Sequence, residues 1–409
     1  MALQKHKINK ASFLLLLALG YSGFSSASGF RIPEVSTVGV GTSNALVANT
    51  EEIGALPYNP AAMSFHEGKA LTTGITILNY DLSVNPDGGT PTDNAGEDTF
   101  LIPNFFFMAQ GNGPWSFGLG INAPFGLETK WPKDTFPAFA GPLDPLEPEL
   151  SRIKMLNLNP NLSYKIDDSS SVAFGLDYYH VRKLVFNSHG VNINGAGDGF
   201  GFNLGFQKKM GDLSVGLSYR SSVDSDLSGS FDATGIGGPI LAARASLEFP
   251  DMLQLGAYYQ VNDQLGVELD IEHTGWSSFD KISVTTVTGT ELTSSTNNWN
   301  DVTAYRLGFI YKLNDKTKLL FGYSQDEGSE PDEYFSARVP GNDRDLISFG
   351  VTRDYGEWTL EASYMRVNID DRDYNSTTPP AAEPNGTLAY NGEYESSADL
   401  FSLGASMKF

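Results

Sequence analysis

The sequence predicts an all-β protein: a 14-stranded antiparallel transmembrane β-barrel with an N-terminal hatch, or plug, inside its lumen. Three observations predict it. Alternate residues along most of the chain separate into an aromatic and aliphatic face and a face of Gly, Ser and charge, the period of a strand. Tight turns alternate strictly with long polar links, as in an up-and-down outer-membrane barrel. The chain opens on an export signal, yet no later apolar run reaches the roughly 20 residues that a membrane helix needs.

The export signal occupies residues 1–27. Lys5, Lys7 and Lys10 form a basic region, Ala11 to Leu19 an apolar one, and Ser25-Ser26-Ala27 a small-residue cleavage site. The apolar stretch is too short to serve instead as an anchor helix. Residues 28–67 precede the first strand. Gly39, Gly41, Gly54 and Pro57 interrupt any long period, and 38–52 has room for one short helix. Leu46, Val47, Ile53, Leu56 and Met63 are more apolar than a disordered tail favours. A barrel of fourteen strands is wide enough to leak, so this segment is most economically placed in the lumen.

Residues 68–409 form the barrel. The segments fall at 68–81, 101–110, 114–130, 152–166, 171–187, 199–210, 212–229, 242–261, 264–288, 300–313, 316–326, 342–353, 356–370 and 396–409. Glu268, Asp270 and Glu272 share one face of the ninth segment, and Val267, Leu269 and Ile271 the other. Arg306 shares the polar face of the tenth. Tyr80, Trp115, Tyr164, Tyr219, Tyr305 and Trp358 stand near strand ends, where headgroup-level aromatic girdles belong. The links at 82–100, 131–151, 188–198, 230–241, 289–299, 327–341 and 371–395 are the long, outer ones. A soluble solenoid or sandwich pair also alternates, but would expose these aromatic faces to water.

Composition removes several functions. A formal net charge of −22 leaves no basic surface for a phosphate backbone, so nucleic acid is not a partner. Without Cys there is no thiolate nucleophile or thiolate metal site. His66, His180, His189 and His273 lie near no G-x-S-x-G nucleophile signature, and no His/Asp/Glu spacing marks a transition-metal site. The chain reads as a non-enzyme that needs no cofactor or metal.

Several fragments carry a resemblance. Ser28-Gly29-Phe30, Tyr58-Asn59-Pro60-Ala61-Ala62-Met63, Phe117 to Asn122 through Gly126-Leu127, Leu156 to Pro160, Phe249-Pro250-Asp251-Met252, Thr274 to Phe279, and Val339 to Arg344 with Ser348 and Gly350 follow one another in the order and spacing found in the FadL/TodX family. The chain resembles that family from residue 28 to Phe409. The resemblance implies outer-membrane passive uptake of long-chain fatty acids or related hydrophobic molecules. The ligand enters a lumenal pocket and leaves sideways through a kinked third strand. It also implies a monomer. Uptake of aromatic or alkane hydrocarbons in the same way, or a general porin-type barrel, are the alternatives.

Candidate site residues follow. Pro124 interrupts the third strand and, with Phe125 and Gly126, marks the lateral opening, since Pro lacks the N–H of a ladder bond. An ordinary bulge near a strand end is the other reading of Pro124. The resemblance places Asn59, Pro60 and Ala61 of the hatch near that kink as its gate, or as a purely structural turn. It also places Phe30 at the pocket. A buried carboxylate needs a cation, so Arg182, Lys183, His189 and Arg306 are pocket candidates for a fatty-acid head, although ordinary pairing with Glu268, Asp270 or Glu272 is the stronger reading of each. Acidic links such as Asp326-Glu327 and Asp370-Asp371 offer only the loosest contacts for lipopolysaccharide in the outer-membrane lipid, or for divalent ions.

Overall fold

The computed structural model describes residues 29–380 and 384–409; the signal expected at 1–27 lies outside them. Fourteen barrel strands follow in chain order. They are β1 (Lys69–Pro86), β2 (Thr99–Gln110), β3 in two pieces (Trp115–Asn122 and Gly126–Lys130), β4 (Pro148–Asp167), β5 (Ser170–Ser188) and β6 (Asn192–Met210). Then come β7 (Leu213–Arg220 and Val223–Asp232), β8 (Ile240–Phe249 and Met252–Gln260), β9 (Leu265–Thr274 and Lys281–Thr286) and β10 (Glu291–Thr296 and Val302–Asn314). The last are β11 (Thr317–Asp326), β12 (Arg344–Asp354), β13 (Trp358–Tyr374) and β14 (Gly392–Lys408). Each pairs antiparallel with its sequence neighbours, and β14 returns to β1 from Ala70↔Lys408 to Pro86↔Gly392. Closure leaves neither the first nor the last strand as a free edge, the condition for a sheet in hydrocarbon.

The alternation has the expected sense. On β6, Phe200, Phe202, Leu204 and Phe206 face outward and are exposed, while Asn203 and Gln207 are buried inside. Trp115 and Tyr164 lie 4.7 Å apart, ring to ring, on the outer surface near the short-turn end, and Tyr305 and Trp358 are also exposed. Tyr80 departs from the expected girdle. It falls on the inward register of β1 with Leu82 and Val84 and packs against buried lumenal side chains. A tyrosine near a strand end faces whichever side its register gives it.

Several outer strands run further than their hydrophobic pattern. The link expected at 188–198 shrinks to 189–191, because β5 and β6 continue to Ser188 and from Asn192. The one expected at 289–299 divides into a hairpin turn at 287–290 and a short break at 297–301. Beyond the bilayer both faces meet water, so polarity no longer alternates although the hydrogen-bonded ladder persists.

Residues 29–66 fill the lumen. A short helix, Thr37–Gly41, starts where the Ser36 side chain accepts from Gly39 N–H at 3.0 Å. A 3₁₀ turn, Pro60–Phe65, starts with Asn59 as cap and proline in first position. The segment bonds inward-facing side chains around the barrel. Ser43 meets Ser348 at 2.9 Å, Ser64 meets Ser163 at 2.6 Å, and Ser171 donates to Ala61 O at 2.7 Å. Asp270 accepts from Val47 N–H at 3.0 Å, and Glu268 from Ala48 N–H at 2.5 Å. The carboxylate row on β9 thus satisfies backbone donors that have no helix or sheet of their own.

Glycine on the inner face is what lets backbone approach backbone. A Cβ at Gly322 would stand 2.2 Å from the Thr42 carbonyl carbon, and one at Gly216 would stand 2.2 Å from Val47 O. These are main-chain atoms that cannot swing aside. Gly322→Val is expected to unseat Thr42 and Ser43 and raise ion conductance in planar bilayers severalfold. Unchanged conductance would mean that the lumen is sealed elsewhere.

Candidate functional site

The wall is incomplete at one place. β3 pairs with β2 only from Phe105↔Ile121 to Gln110↔Ser116, and its second piece, Gly126–Lys130, pairs with β4. Between the pieces, Asn122 faces Asn157 and Gly126 faces Lys154, so three residues of β3 span two of β4. Pro124 sits in the middle of this excursion. Thr99–Asn104 of β2 are left without a partner on the β3 side among the described residues. The gap is bounded toward the outer end by Ala95 N–H to Lys130 O at 2.9 Å and by Glu97 N–H to Glu128 Oε1 at 3.1 Å. The result is a window in the barrel wall between β2 and β3.

The hatch lies across it. Ile32 N–H donates to Pro124 O at 2.8 Å, Gly126 N–H donates to Phe30 O at 3.0 Å, and Arg31 faces Phe125 as an isolated antiparallel bridge. Residues 30–32 therefore supply, from inside, ladder bonds that β2 does not make. Arg31 is held from behind by Glu272, which also accepts from Arg306 at 3.1 Å and from Gln254. Arg306 in turn meets Asp326 at 3.1 Å and donates to Ser324 at 2.9 Å.

A cavity of about 550 Å³ opens at the window. Its lining includes consecutive residues, Thr99 to Pro103 on β2 and Ile153 to Leu156 on β4. Successive strand residues point to opposite faces, so the lining draws on residues of both faces of the wall at the break. Leu101 on its outer side is 64% exposed, whereas Phe30 and Phe125 on its inner side are buried. Phe30 fits into an aromatic nest, with Trp276 at 4.7 Å, Phe279 at 5.5 Å, Trp299 at 5.8 Å and Phe125 at 6.0 Å between ring centroids.

The candidate residues separate into groups. Phe30, Phe125 and Gly126 line the cavity, with Pro124 between β3's two pieces. Arg182 lines it too, but from outside: the lumenal side chains of β5 here are Tyr179, Val181 and Leu184. A bulge between Val181 and Leu184, in the pairing with β6, leaves both Arg182 and Lys183 exposed, so neither has the lumenal position expected for it. His189 lies in the β5–β6 turn, its Nε2 3.7 Å from Glu147, whose carboxyl burial pushes up. It is not part of the cavity lining. Arg306 faces inward but is committed to Glu272 and Asp326. Asn59 donates to Val47 O, Phe206 O and Gln207 Oε1 at 2.8–3.0 Å, so Asn59, Pro60 and Ala61 are anchored on β4 to β6 while residues 30–32 occupy the break. Arg31, Ile32 and the β2 side of the window were not among the candidates; Pro103, a second strand proline, was the available signal.

Comparison with known proteins places this architecture. The family model for outer membrane protein transport proteins (OMPP1/FadL/TodX) matches residues 18–409. The chain belongs to the FadL/TodX family. Members are outer-membrane transport channels for hydrophobic compounds, not enzymes. The chain is 22% identical to the long-chain fatty acid transport protein of Escherichia coli strain K12, across 91% of this chain and 95% of that one. It is 23% identical to outer membrane protein P1 of Haemophilus influenzae, across 97% and 99%. A FadL homologue from Pseudomonas aeruginosa has the same fold, with a TM-score of 0.79 at 19% identity over 93% of this chain and all of that one. The toluene transporter TbuX of Ralstonia pickettii superimposes with a TM-score of 0.67 at 17% identity, over 90% and 99%.

Proposed function

We propose that this family member takes up long-chain fatty acids or related hydrophobic molecules passively, releasing them sideways through the β2–β3 window when residues 30–32 leave it. The observation that carries the reading is the cavity lined by both faces of the wall. A hydrophobic solute leaving there enters hydrocarbon without crossing the polar lumen. Opening breaks two backbone hydrogen bonds, each worth about 1 kcal/mol net, parts Arg31 from Glu272, and withdraws one phenylalanine, worth about 2–3 kcal/mol. A ligand that takes the ring's seat restores the phenylalanine's contribution and so favours the open state.

Pro124→Val tests the exit. With an N–H restored at position 124, β3 can run straight and narrow the window. Uptake into cells lacking another such channel is expected to fall severalfold while saturable binding to the purified barrel stays unchanged; unaltered uptake would direct the solute down the lumen instead. A second reading, uptake of small aromatic molecules, is favoured by the aromatic nest that seats Phe30. Arg31 and Arg306 are already matched by Glu272 and Asp326, whereas Arg344, which lines the cavity and donates to Gly29 O at 2.7 Å, is a cation open to a carboxylate once Gly29 withdraws. Parallel binding isotherms for oleate and toluene distinguish the two readings.

A further inference from the structure

The nest around Phe30 contains polar atoms with no role in packing. Trp276 Nε1, Trp299 Nε1 and the Tyr179 hydroxyl are buried and make no hydrogen bond among the described residues. Trp276 and Tyr179 have no measurable exposure, and Trp299 is 3% exposed. A buried donor without an acceptor is rare in folded proteins and calls for an explanation. All three belong to one cluster with Phe30, Phe125 and Phe249, where phenylalanine or leucine would fill the space without stranded donors.

Their placement ties them to the hatch. A Cβ on Gly29 would stand 2.7 Å from Trp276 Cε2, the ring carbon bonded to Nε1, and 2.8 Å from Trp299. Gly29 thus lies close against the rings of Trp276 and Trp299, and withdrawing it uncovers them. Two cations neighbour it: Arg31 is bound by Glu272, which Arg306 shares, and Arg344 donates to Gly29 O at 2.7 Å. The seat therefore offers aromatic walls, neutral N–H and O–H donors and, once Gly29 withdraws, the Arg344 guanidinium.

We infer that the seat vacated by Phe30 selects an aromatic ligand bearing a hydrogen-bond acceptor, such as an aromatic ketone, aldehyde or ester, over a plain hydrocarbon. This rests on the reading of the protein as a transporter whose arm gives way to ligand. The ring of the ligand replaces that of Phe30 in its edge-to-face contacts, and its oxygen accepts from Trp276 Nε1–H. A site that donates to its ligand discriminates against an analogue lacking the acceptor, because the donor is then left buried and unpaired.

The test uses the full-length mature barrel in detergent and two probes of similar size, acetophenone and cumene, with oleate alongside, binding being measured by equilibrium dialysis at neutral pH. Trp276→Phe keeps a ring and removes the N–H. It is expected to weaken acetophenone about five- to tenfold and cumene less than twofold. Tyr179→Phe, which deletes one oxygen, is the second variant if the first does not refold, and the same split is expected of it. Equal effects on acetophenone and cumene would overturn the inference. Cumene or oleate binding with acetophenone indifferent to both variants removes this inference alone; failure of acetophenone, cumene and oleate to bind the wild type removes the transport reading as well.

Discussion

A disulfide joining Arg31→Cys to Phe125→Cys is expected to reduce uptake at least tenfold when oxidised, and reduction should restore it. The two positions face each other between the Ile32–Pro124 and Phe30–Gly126 hydrogen bonds. That makes them a non-hydrogen-bonded antiparallel pair, whose Cα atoms stand about 4.5 Å apart, within the range a disulfide bridges. The chain has no cysteine of its own, so only one pairing can form. Each single variant serves as control for the lost Arg31–Glu272 ion pair and the lost Phe125 ring. Uptake that is equally fast with the bond closed would show that the arm never has to leave the wall.

Arg306→Leu is expected to destabilise the barrel by about 3–5 kcal/mol, the usual consequence of removing one partner from a buried ion pair. Arg306 is 1% exposed and stands between Glu272 and Asp326. Its loss leaves Arg31 as the cation for Glu272 and removes the guanidinium facing Asp326. The guanidinium chloride midpoint in detergent should fall, and Arg306→Leu with Asp326→Leu should recover much of the loss, because the charge removed is then matched. A single variant as stable as wild type would mean that Arg306 is dispensable to the hatch anchorage.

The barrel was legible because bilayer and lumen impose opposite demands on alternate residues. Phe200, Phe202, Leu204 and Phe206 declare one face of β6, and Gly113 and Gly211, both with positive φ, mark short turns. What was not legible is where periodicity stops carrying information. β5 and β6 continue as ladder beyond the bilayer, where no hydrophobic contrast remains. The bulge before Leu184 turns Arg182 and Lys183 outward, and a bulge has no signature in this sequence. Pro124 stood out because proline is costly inside a strand. The partner of the break did not, since Arg31 and Ile32 meet it across a fold rather than along the chain. Likewise, the aromatic nest is assembled from Phe30, Phe125, Phe249, Trp276 and Trp299, residues that only closure of the barrel brings together.

The residues that hold the hatch also constrain how the molecule can assemble. Thr37 meets Ser402 on β14 at 2.9 Å, and Ser43 meets Ser348 on β12, partners translated more than 300 residues later. The hatch thus emerges first and finds its contacts last, and they arise with the closing of β1 on β14, itself among the most non-local pairings in the chain. A finished barrel offers a backbone segment no room to work past Gly322 and Gly216 into such close apposition. Enclosure, with the strands wrapping the segment as they close, is the expected route of maturation, and a barrel folded without residues 29–66 is expected not to take that segment up when it is added afterwards as a peptide.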